Sequence, residues 1–236
     1  MSGRENVTET LNIPMPREQL ERIVRQVIGQ QFAQALAEGQ ESPGAYVPNL
    51  VVNISARHLH ISPEHVRRLF GPKAELTVYR WLYQPGEFAS EQTVTVIGPR
   101  RRAIEKVRIL GPCRPATQVE LSLTDAVALG VDAPVKPSGE HDGTPGCILL
   151  GPEGVVELER GVIRAERHVH MSPADAVLYG FKDRQYVNLR VTSDCTTTFE
   201  RILCRVDERS LLEVHLDTDE GNACDLVNAN GVELLA

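Results

Sequence analysis

The chain has 236 residues, 42% of them hydrophobic, and a formal net charge of −7, so it can bury a substantial core as one large or two small domains, and a general affinity for nucleic acid is excluded as an expectation. No apolar run is long enough to span a membrane, and the N-terminus lacks the basic start and apolar core of a signal peptide, so an intracellular protein with no membrane span is expected. Five cysteines without a Cys-x-x-Cys argue against a disulfide framework and a Cys-rich zinc site and read mostly as buried thiols.

Residues 1–46 differ from the rest. Leu20, Ile23, Val24, Val27, Ile28, Phe32 and Leu36 recur at three- and four-residue spacing and predict an amphipathic helix, followed by a polar linker with Gly39, Ser42, Pro43 and Gly44. One short helix cannot bury its own apolar stripe, so docking on another surface is expected.

From Asn49 the texture turns to strands: Leu50–Ser55, Gln92–Ile97, Lys106–Leu110, Tyr186–Val191 and Leu211–Leu216, separated by Pro-Gly and Gly-Pro turns. Three short helices are predicted from Ser at the N-cap: after Ser62-Pro63, after Ser122 with a stop at Gly130, and after Ser172-Pro173. The fold class expected is mainly β with short helices, as small β-barrels.

The chemistry sits in a repeat. Arg57-His58-Leu59-His60-Ile61-Ser62-Pro63 returns as Arg167-His168-Val169-His170-Met171-Ser172-Pro173, holding four of the seven histidines. On a strand, residues i and i+2 share a face, so each His-x-His can offer two imidazoles to one metal, and two pairs suggest two metals. A catalytic zinc takes three protein ligands and keeps a position open. His215 can complete one set and a carboxylate the other, with Glu120 a candidate and Asp217 a rival to His215. His65 and His141 read as ordinary core or surface residues. Arginine outnumbers lysine, and Arg80, Arg100–Arg102, Arg108 and Arg114 are candidates for binding a phosphorylated ligand.

The segments Asn53–His60, Gln84–Ala89, Gly111–Arg114 with Gln118–Ser122, Pro137–Gly139, Gly143–Gly146 and Arg167–Met171 resemble, in order, the propanediol-utilisation type of phosphotransacylase, or phosphate propanoyltransferase. The resemblance implies two β-barrels around a dinuclear zinc site and acyl transfer between coenzyme A and phosphate, with propanoyl-CoA or acetyl-CoA as donor. It implies that His58, His60 and Glu120 hold one zinc, and His168, His170 and His215 the other. Arg114 would bind inorganic phosphate as the catalytic cation, with Ser138 and Gly139 nearby. Ser55, Arg80, Arg108, Leu110 and Asn222 would contact coenzyme A. The chain departs from the family at Arg80, aligned where Lys is common.

The resemblance also implies an interleaved partition, with a first strand over 47–56 completing the barrel of 166–236 and residues 57–165 forming the second. Residues 13–37 look like the extension that directs such enzymes to the shell proteins of a bacterial microcompartment for propanediol degradation, and a homo-oligomer is expected. Two rivals remain from the residues alone: a metal-dependent hydrolase, since paired zinc ions activate water, and a non-catalytic scaffold that uses metal only for folding.

Overall fold

A computed structural model describes residues 48–236; the helix and linker expected over 1–46 lie outside the described residues. The first half runs β1 (Val51–Ser55), β2 (His58–His60), α1 (Pro63–Phe70), β3 (Val78–Trp81), β4 (Phe88–Ile97), β5 (Ala103–Gly111), β6 (Gln118–Glu120), α2 (Leu123–Leu129), β7 (Val135–Lys136), β8 (Cys147–Leu150) and β9 (Val155–Leu158). The second runs β10 (Val162–Ala165), β11 (His168–Met171), α3 (Pro173–Tyr179), β12 (Tyr186–Thr192), β13 (Thr197–Val206), β14 (Glu213–Asp217), α4 (Thr218–Ala223), a 3-10 turn (Leu226–Asn228) and β15 (Gly231–Leu235). The chain is thus mainly β with short helices, and no described helix is long and apolar enough to cross a membrane.

The five β-rich runs each fall on a strand, with Leu50, Leu211 and Leu212 left outside at the starts of two of them, and the three Ser-initiated helices form where the caps put them. Ser62, Ser122 and Ser172 each accept a hydrogen bond from the backbone N–H three residues on, which meets one of the donors that a helix start leaves free. Gly130 and Gly180 end α2 and α3 in the left-handed conformation, at φ 74° and 69°, where a Cβ would be costly. Strands of two to four residues, such as β2, β6 and β7, are too short to announce themselves by alternation.

The repeat is a repeat of pairing as well as of sequence. β2 lies between β5, parallel, and β6, antiparallel, with His58 opposite Glu120. β11 lies likewise between β13, parallel, and β14, antiparallel, with His168 opposite His215. The strand that precedes each repeat joins the other half: β1 pairs in parallel with β14, and β10 with β6. Two sheets result, ordered β1-β14-β11-β13-β12-β15 and β7-β10-β6-β2-β5-β4-β8-β9, with β3 on the side of β4. Each covers its own apolar cluster, one built on Leu59, Ile61, Val107, Ile109 and Val119, the other on Val169, Met171, Cys204, Val214 and Leu216. The residues between and after the histidines therefore anchor the core, and strand alternation turns the imidazoles away from it.

Candidate metal centre

The structure brings the six residues into two groups. The candidate ligand atoms of His58, His60 and Glu120 lie within 4.8 Å of one another, and so do those of His168, His170 and His215. In the second group the rings of His168 and His215 stack at 4.9 Å, and His170 stands edge-on to both. Asp217 is not part of this group: its carboxylate caps α4, accepting from the Glu220 N–H at 2.9 Å, so the rival reading of Asp217 as third ligand is corrected. Arg100–Arg102 lie exposed between β4 and β5 and do not line the cavity described below, which removes them as candidates for this site.

Hydrogen bonding orients the imidazoles. His58 Nδ1 is 2.8 Å from the carbonyl of Ala56, and His168 Nδ1 is 2.8 Å from that of Glu166. A carbonyl only accepts, so Nδ1 carries a proton in both rings and Nε2 is the atom turned inward. There His58 Nε2 meets Glu120 Oε2 at 3.4 Å, and His60 Nε2 meets Glu120 Oε1 at 3.7 Å. His60 Nδ1 and His215 Nε2 are buried with no hydrogen-bond partner among the described residues. Burial lowers His60 from 6.5 to about 3, helped by His58, and lowers His170 to about 2, helped by His168 and His215. His168 is lowered in the same way, by burial and then His215. Burial alone would raise Glu120, yet His58, His60 and the Ser138 hydroxyl hold it below the usual carboxylate range. Lone pairs of neutral imidazoles converging on a buried carboxylate suit a borderline divalent cation such as zinc. The residues present fit the metal that the resemblance implies.

Both groups open on one cavity of about 600 Å³. Arg114 enters it from the loop after β5, held by its backbone N–H on the Ile61 carbonyl at 2.9 Å, and donates to Ser138 Oγ at 3.1 Å. Ser138 in turn donates to Glu120 at 2.9 Å. Gly139, at φ 101°, donates its N–H to Gln118 Oε1 at 2.7 Å. Ser55 Oγ is 2.9 Å from His215 Nδ1. Arg80, Arg108 and Leu110 line the cavity; Arg108 donates to the Ser90 carbonyl at 2.7 Å and lies over the Tyr79 ring. Asn222 is exposed on α4 and is not among the lining residues.

Three contributors were not singled out by the sequence reading. Gln118 bonds Glu120, Ser138, Gly139 and His141. Glu213 stands 3.3 Å from His215 Nε2 and is held by Asn53 and Gln84, at 2.6 Å each. Arg205 lines the cavity from β13. Gln118 and Glu213 share strand parity with Glu120 and His215, a signal that could have found them; Arg205 had none.

A sequence model described as phosphate propanoyltransferase matches residues 51–227. The chain belongs to the phosphate propanoyltransferase family. Similar proteins with that name include one from Planctopirus limnophila, 55% identical over 93% of this chain and 91% of its own. One from Thermotoga maritima is 50% identical over 75% and 84%, and one from Lachnoclostridium phytofermentans is 44% identical over 94% and 100%. As a member of the phosphate propanoyltransferase family the chain is an acyltransferase, and the cavity with its two histidine groups is its candidate active site.

Proposed function

We propose that the protein converts propanoyl-CoA or acetyl-CoA and phosphate to acyl phosphate and coenzyme A. The observation that carries the reading is the convergence of two histidine groups, Arg114 and Ser138 on one cavity in a chain of this family. A phosphate oxygen bonds to the thioester carbonyl carbon, the C–S bond breaks, and coenzyme A departs with the electron pair as its thiolate. His58, His60 and Glu120 would hold one zinc, and His168, His170 and His215 a second. Zinc would supply Lewis acidity and a soft partner for sulfur. Arg114, steadied by Ser138, binds and orients the phosphate dianion, so that proximity and preset charge contribute most of the rate. Ser138 and Gly139 shape the phosphate side, while Ser55, Arg80, Arg108, Leu110 and Asn222 receive coenzyme A.

Residues 47–56 with 166–236, and residues 57–165, are read as two interleaved barrels. Residues 13–37 are read as a targeting helix for microcompartment shell proteins, placing a homo-oligomeric enzyme in the compartment lumen. The test is thiol release from propanoyl-CoA with and without phosphate. Phosphate-dependent release is expected; release indifferent to phosphate would turn the reading towards a thioester hydrolase.

A further inference from the structure

The repeat allows each residue of the site to be compared with its counterpart. By register, Glu120 answers to His215, Gln118 to Glu213, and Leu110, opposite His60, to Arg205, opposite His170. The last pair changes character most: a leucine on one side of the cavity, a guanidinium on the other, and both line it. Arg205 is partly buried, and no ion pair or side-chain hydrogen bond fixes it among the described residues. Arg114 enters the same cavity, donating to Ser138 at 3.1 Å and reaching a carboxylate, that of Glu87, only at 3.7 Å. Burial lowers the Arg114 guanidinium below its ordinary value, and the positive charge of Arg205 lowers it further, against the pull of Glu87 and Glu120. Two cations thus converge on one partly desolvated space. Glu213, the carboxylate lining the cavity from the Arg205 half, is already held by the amides of Asn53 and Gln84.

A dianion with several acceptor oxygens relieves that repulsion, and planar guanidinium forks match it. We propose that Arg205 is a second phosphate-binding residue, which grips the phosphate from the three-histidine half of the cavity while Arg114 holds it from the other. This rests on the phosphotransacylase reading and adds to it that both halves of the repeat hold the anion.

The experiment titrates inorganic phosphate calorimetrically into metal-loaded full-length protein, wild type, Arg205→Gln and Arg205→Lys, and measures the KM for phosphate and for propanoyl-CoA. Losing one charge-assisted contact should weaken phosphate binding and raise its KM roughly ten- to a hundredfold, with the propanoyl-CoA KM moving less than about threefold. Arg205→Lys should recover part of the loss, since it keeps the charge without the fork. Unchanged phosphate affinity, equal losses for both substrates, or a wild type that binds no phosphate would overturn the proposal. A wild type that binds phosphate yet releases no thiol would sink the phosphotransacylase reading alone, with the binding comparison still deciding the role of Arg205. If Arg205→Gln fails to fold, Arg205→Lys decides: a several-fold weaker phosphate affinity supports the grip, and an unchanged one removes it.

Discussion

Two backbone carbonyls, those of Ala56 and Glu166, decide how the histidine pairs are used. Each stands two residues before the first histidine of its repeat and takes the Nδ1 proton, so the identity of the side chain at 56 and 166 is free to differ while the function of the backbone stays the same. If each group holds one zinc, His58→Ala and His168→Ala should each lower the bound metal from about two ions per chain towards one, read by elemental analysis of dialysed protein; loss of both ions in either variant would mean a single shared site.

The metal-stripped protein should also be acid-sensitive. His60 and His170, held near 3 and 2, refuse protons that the unfolded chain accepts below 6.5. The unfolded state therefore binds more protons as pH falls, and stability declines from about 6.5 downward until the folded values are reached. Melting temperatures of apo protein from pH 8 to 4 check this; a flat profile between pH 7 and 5 would contradict it.

At the level of elements, each repeat is a strand that turns at once into a capped helix. Ser172 and Asp175 form a reciprocal capping box at the start of α3, only two residues beyond His170. Ser172→Ala should cost about 1 kcal/mol, seen as a fall of roughly 2–4 °C in melting temperature for a chain of this size. The repeat arginines tie down the helices that follow the strands antiparallel to each repeat, α2 after β6 and α4 after β14: Arg57 to Asp125 at 2.7 Å and Arg167 to Glu220 at 3.2 Å. Strand parity made the paired histidines legible, because a period of two is a local property. It could not make β2 and β6 legible, since three residues carry too little pattern, and their pairing register decides that Glu120 meets His58. A slip of one residue would turn the imidazoles into the core.

Across the whole molecule, the described residues 48–236 form one compact unit. Deleting residues 1–46 should leave phosphate-dependent thiol release within about twofold of the full chain and abolish co-localisation with shell proteins; lost activity would place the segment in the catalytic fold. The sequence by itself determined the β character, the capped helices, the two histidine pairs and, through its resemblance, the family, because these rest on local periodicity and motif. The resemblance also implied the move of the first strand and the two ligand sets; only the tertiary structure decided the pairing of β10 with β6, the register that sets Glu120 opposite His58 and His215 opposite His168, and the opening of Arg114 and Arg205 on one cavity. Those depend on which distant strands share a ladder, a choice made by burying two apolar clusters at once, and no single segment carries that information.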